Sequence, residues 1–109
     1  TFSGGDNPAL VAWTSANSNG SPRMVGLLNA NGLGLHDMSG NVWEWTQSRF
    51  TASHPGGSQV DWTGPAGSER VLRGGSMSGG ANEARSVVRL RFDPFPAVNS
   101  GFRLVRPAP

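Results

Sequence analysis

A chain of 109 residues, 36% hydrophobic and 8% aromatic, has room for one domain with a modest core, and its 16 glycines and 8 prolines argue against long regular elements. It has no cysteine, which excludes disulfides, thiolate metal sites and thiol catalysis. The net charge of +2 hides an asymmetry: there are nine arginines and no lysine, and seven of the arginines lie between Arg70 and Arg106 against two acids, Glu83 and Asp93.

In chain order, residues 1–7 read as an entry loop. Asn7-Pro8 is a helix start, with Asn as cap and Pro at the first helical position, and Ala9 to Trp13 read as a short helix. Residues 14–34 are rich in Ser, Asn and Gly, hence loop, with Val25 to Leu28 as a brief apolar segment. A single helical turn is expected at His36 to Met38. Val42 to Thr46 has strand character, with Val42, Glu44 and Thr46 on one face and Trp43 and Trp45 on the other. Residues 51–69 read as loop, and "RVLRGGS" (Arg70 to Ser76) as a strand running into Gly-Gly. Ser86 to Phe92 alternates apolar residues with arginines and reads as a strand. A Pro-interrupted loop spans Asp93 to Ser100, and Gly101 to Val105 form a last strand. The whole reads as one α+β domain, residues 1–109, of short helices and short strands joined by long loops. No apolar run is long enough to cross a membrane, and no signal peptide opens the chain.

A basic C-terminal third is one footprint of a nucleic-acid site. Mobile lysines normally share phosphate contacts, however, whereas an all-arginine set suits planar, multi-donor groups that tie loops together and stack. No nucleic-acid partner is therefore expected.

Three stretches, "GLGLHDMSGNVWEW" (Gly32 to Trp45), "RVLRGGS" and "GFRLV" (Gly101 to Val105), together resemble the core of the formylglycine-generating-enzyme (sulfatase-modifying-factor) family, a variant of the C-type lectin fold. "SGGDNPALVAW" (Ser3 to Trp13) is similar to that family's lead-in. The resemblance implies a C-type lectin fold with short antiparallel strands. It makes Trp43 and Trp45 core pillars, with Trp13 packed near them. The oxidases of the family use cysteines near the C terminus, and a relative uses a three-histidine iron site. This chain has no cysteine and only His36 and His54, so neither site can be built and no enzyme, cofactor or metal is expected. His36 stands where the family often has an aromatic residue, which implies packing, and His54 reads as exposed loop. Some members bind calcium near the GNVWEW segment. The matching positions are Asp37, Gly40, Val42 and Glu44, and two carboxylates with backbone carbonyls are suitable oxygen ligands. The competing reading has Asp37 cap a turn and Glu44 pair with a buried arginine.

The frame "RVLRGGS", scattered arginines, "GFRLV" also resembles the variable proteins of diversity-generating retroelements, in which adenine-directed reverse transcription rewrites a lectin-fold C-terminal region. The resemblance places a variable ligand-binding region at about residues 77–99. Its site residues are Ser78, Gly79, Gly80, Val88, Leu90, Phe92, Phe95, Ala97, Val98 and Asn99, all of types reachable by changing the adenines of an Asn codon. Met77 departs from a common Trp. This reading inverts the usual burial of an alternating strand. Arg89 and Arg91 are held inward or edgewise by acids, carbonyls and aromatic faces, with Arg85 and Arg103 helping and Glu44, Asp61, Glu69 and Asp93 as candidate acids, while Val88, Leu90 and Phe92 meet solvent. The implied function is a non-catalytic module recognising a protein or glycan on another surface, displayed on a cell or virion, with edge strands that leave room for oligomers. The alternative is a structural or carbohydrate-binding domain derived from the same enzyme family.

Overall fold

In the computed structural model, residues 1–53, 69–92 and 99–109 are described. Asn7 caps the helix α1 (Pro8–Val11) by accepting the Ala9 N–H at 3.1 Å, with Pro8 at its first position. The helix ends two residues earlier than the sequence suggests. Ala12 turns extended (φ −141°, ψ 133°), and Ala12–Trp13 become strand β1. The cause is long-range. β1 pairs in parallel with β2 (Ser39–Gly40), and the side-chain amide of Asn17 donates to the Ala12 carbonyl at 3.0 Å while accepting the Thr14 N–H at 2.8 Å. These partners satisfy backbone groups that another helical turn would have satisfied locally.

The main sheet has four strands in the order β5-β4-β3-β6. β3 (Trp43–Arg49) and β4 (Arg70–Arg73) are central; β5 (Leu90–Phe92) and β6 (Ser100–Phe102) are the edges. β4 runs antiparallel to both β3 and β5, whereas β6 runs parallel to β3, so the expected antiparallel arrangement holds for part of the sheet only. Four steps along β3, Trp45 to Arg49, match two along β4, Leu72 to Arg70, which marks a bulge. A 3-10 turn at Ala81–Ala84 connects β4 to the β5 segment and was not legible in the sequence. The helical turn expected at His36 to Met38 is absent: Asp37 is left-handed, with φ 57°. Two expected strands are shorter than read. Ser86 to Phe92 contributes only its last three residues to β5, and the "GFRLV" strand ends at Phe102, leaving Leu104 and Val105 exposed.

The interior is small and partly polar. Val11, Ala12 and Ala84 cluster with Phe2 against them, and Val71, Leu72 and Met77 are also buried. Trp43 and Trp45 are half-buried rather than pillars of the core. Small residues and hydrogen bonds fill the deep positions instead: buried Ser18 donates to the Met77 carbonyl at 2.7 Å, and Asn41 accepts the Arg23 N–H at 2.9 Å while donating to the Arg23 carbonyl at 3.1 Å. Such bonds remove the desolvation cost of burying polar groups.

Candidate binding surface

Directly paired residues of neighbouring strands share a sheet face. Leu90, Leu72, Trp45 and Phe102 therefore form one row across the four strands, with Phe92 and Arg70 beside it. Burial changes sharply along that row. Leu72 is 1% exposed, whereas Leu90 is 37% and Phe92 43% exposed on the edge strand.

Arginines hold this edge in place. Arg73 donates through Nη1 to the carbonyls of Ser86 at 2.9 Å and Val88 at 3.3 Å. Desolvation, then the nearby Arg89 charge, lowers the Arg73 pKa from its ordinary value. Arg89 is half-buried, donates to the Thr51 carbonyl at 3.1 Å and stacks 5.0 Å from the centre of the Phe50 ring. Arg91 lies along the edge, 63% exposed, 5.7 Å from the same ring and 3.8 Å from Glu69. Arg70 donates to the Gln47 carbonyl at 2.7 Å and Arg85 to the Asn82 carbonyl at 3.2 Å. The arginines thus act mainly as backbone staples, the use that five fixed donors per guanidinium suit.

Val88 differs from its expected outward placement. It is half-buried because it precedes β5, in a turn closed by its own N–H on the Arg85 carbonyl at 3.0 Å. Ser78 and Asn99 come together: the Asn99 amide donates to Ser78 Oγ at 2.9 Å, and Ser76 Oγ lies 3.1 Å from the same hydroxyl. Gly79 is half-buried against the Glu83 carboxylate, and Gly80 is exposed at the start of the 3-10 turn. The group around Ser78 and Asn99 adjoins β6, whereas Leu90 and Phe92 lie on β5. Three strand spacings, about 14 Å, separate the two edges. Phe95, Ala97 and Val98, like Asp61, Asp93 and His54, lie outside the described residues.

The four positions matched to calcium line a cleft whose other walls no local pattern shows. It has a volume of about 480 Å³ and opens between Gly26, the Asp37–Glu44 segment and Gly101–Arg103. At its side Arg103 grips Glu44, with Nε 2.8 Å from both carboxylate oxygens and Nη2 2.8 Å from Oε1 and from the Asp37 carbonyl. Asp37 Oδ2 accepts the Gly26 N–H at 2.8 Å, so both acids take the capping and pairing roles. A calcium ion on Asp37, Gly40, Val42 and Glu44 would have to share both Glu44 oxygens with the Arg103 guanidinium. His36 also lines the cleft. It is exposed rather than packed, with Nδ1 2.8 Å from the Leu28 carbonyl. Arg103→Lys is expected to cost about 1–2 kcal/mol in a denaturant melt, because one ammonium cannot span both Glu44 oxygens and the Asp37 carbonyl. An unchanged melting midpoint would show that the pair does not hold β3 to β6.

Comparison with known proteins agrees with this architecture. Residues 3–108 match the sulfatase-modifying factor enzyme 1-like domain. Treponema denticola variable protein 1 superposes with a TM-score of 0.82 at 34% identity, over 94% of this chain and 40% of that one. The chaperone protein LppX of Paenibacillus barcinonensis is 32% identical over 97% of this chain and 41% of its own length. The formylglycine-generating enzyme of Bos taurus is 43% identical over 42% of this chain and 13% of its own length. The chain thus spans about two fifths of the length of the first two and far less of the enzyme. Its α+β architecture is the C-type lectin fold of the formylglycine-generating-enzyme type, in the form seen in a variable protein, and the chain belongs to the sulfatase-modifying factor enzyme 1-like domain family.

Proposed function

We propose that this domain is a non-catalytic binding module whose contact residues sit on a fixed arginine frame, and that residues 77–99 are diversified by a mutagenic retroelement. The observation that carries the reading is the exposure of Leu90 and Phe92 on an edge strand flanked by Arg89, which is held by the Thr51 carbonyl and the Phe50 ring, while Arg91 lies along the edge near Phe50 and Glu69. A module that must accept changing side chains cannot keep its core among them. Core truncations cost about 2–5 kcal/mol, comparable with a small domain's total stability. Exposed changes usually stay within about half a kcal/mol. Leu90 and Phe92 supply apolar and aromatic area of the kind that anchors interfaces, and Ser78 and Asn99 supply adaptable polar groups. The ligand is a protein or glycan on another surface, met from a cell or virion. Among the described residues no helix is long and apolar enough to cross a membrane.

A display library randomised at Ser78, Leu90, Phe92 and Asn99, sorted for folded protein, tests the scaffold. Most members are expected to fold, against few from a matched library at Val71 and Leu72. Equal losses would remove the binding-surface reading. Diversification is tested in the DNA: the reading requires a near-copy of the stretch encoding 70–105, differing at adenines, beside a reverse-transcriptase gene. Its absence leaves an undiversified binding module.

A further inference from the structure

We propose that the cleft between Gly26, the Asp37–Glu44 segment and Gly101–Arg103 is a second binding site, selective for a primary alkylammonium group such as the end of a lysine side chain. The site does not depend on the β5 surface.

Four observations carry it. First, the cleft's volume of about 480 Å³ falls within the range of small-ligand pockets. Second, its charges do not balance. Asp37 and Glu44 supply two carboxylates and Arg103 supplies one cation, whose side-chain bonds go to Glu44 and whose remaining bond goes to the Asp37 backbone, not to its carboxylate. Third, Asp37 is only 8% exposed, and Oδ2 takes the Gly26 N–H while Oδ1 has no partner among the described residues. Oδ1 is not among the buried atoms closed off from solvent, so it is free to accept an ammonium N–H from the cleft, while Oδ2 is already held by Gly26. Fourth, the hydrogen bond to the Leu28 carbonyl fixes the His36 tautomer. A carbonyl only accepts, so Nδ1 carries a proton, and Nε2, when it carries none, is a second acceptor on a residue that lines the cleft.

The rest of the lining suits the stem of such a ligand. Phe102 is 73% exposed, and Val25 and Val42 add apolar wall. An aromatic face attracts a cation and packs against methylenes. The backbone is also unusual here. Asp37 (φ 57°) and Asn41 (φ 65°) are two of the three left-handed non-glycine residues among those described, and Gly26 and Gly40 (both φ 77°) line the same cleft. Such conformations concentrate where a site is held in a set geometry.

The test is an NMR titration of the chain with n-butylammonium, following the Gly26 and Phe102 amides, with butyrate, methyl glucoside and calcium as separate arms. Saturable shifts are expected with n-butylammonium alone. Asp37→Asn should weaken that binding at least tenfold while leaving the rest of the spectrum in place. Asparagine keeps an acceptor for the Gly26 N–H and tolerates a left-handed backbone. Phe102→Ala should weaken it less. The proposal is overturned if butyrate saturates the same amides, since Arg103 would then be reading an anion. An equal response to the glucoside, the same shifts with calcium, or full binding by Asp37→Asn each overturn it too.

Discussion

Leu72→Ala is expected to destabilise the domain by about 3 kcal/mol, and Leu90→Ala by about 1 kcal/mol or less. The two leucines are directly paired across β4 and β5 and share a sheet face, so side-chain chemistry and facing are matched. What differs is cover. Leu72 is 1% exposed between β3 and β5, whereas Leu90 is 37% exposed at the sheet's edge. Removing three carbons from Leu72 costs their transfer energy and leaves a cavity that two flanking strands cannot close. At Leu90 water fills the space. In a domain of this size 1 kcal/mol moves the melting temperature by about 4–8 °C, so the variants should separate clearly in thermal melts. Equal losses would make β5 part of the core and end the reading of Leu90 and Phe92 as contact residues.

That pair also shows where the sequence informs and where it stops. The alternation in Ser86 to Phe92 says that apolar residues and arginines face opposite ways, but not which set is wet. The choice came from the resemblance to variable proteins. In the structure, Arg89 reaches the Thr51 carbonyl and Phe50, partners about forty residues away in the chain that no local pattern reveals. Val88 shows the limit of alternation, since it stops applying where the strand does. The Asn7-Pro8 helix start was legible because an N-cap is local chemistry, with its acceptor two residues from its donor. The helix end was not, because β1 exists only by pairing with residues 39 and 40. Trp43 and Trp45 misled for a related reason. Size predicts that a side chain will bury area, but the depth it reaches depends on what neighbouring strands place over it. The cleft was the least legible feature, since its walls come from residues 25–26, 36–44 and 101–103. The acids at its side were readable as a cap and an ion pair, but their arginine partner stands 59 residues beyond Glu44.

Gly40→Ala should be the most damaging single substitution near the sites, costing about 4 kcal/mol or more, with the cooperative melt lost if total stability is near the low end for small domains. Two separate penalties meet at this residue. Its φ of +77° is left-handed, which costs a non-glycine residue about 1–2 kcal/mol. In addition, an alanine Cβ would overlap the Trp13 carbonyl oxygen and lie 2.6 Å from the Trp13 nitrogen, and these backbone atoms are held by β1–β2 pairing. Relief requires separating the strands. That breaks a junction in which Gly40 N–H donates to the Gly74 carbonyl at 2.6 Å, Asn41 N–H to the Trp13 carbonyl at 2.8 Å, and Met77 N–H to the Asn41 carbonyl at 2.6 Å. Gly34→Ala isolates the first penalty: Gly34 has the same φ of +77° but nothing within 4 Å of its added Cβ, so about 1–2 kcal/mol is expected there. The difference between the two variants measures the close approach alone. Both proposed sites depend on that approach, because the junction fixes Asp37 and Asn41 at the cleft and Met77 beside Ser78. If Gly40→Ala melts like Gly34→Ala, the β1–β2 contact is not what positions either one.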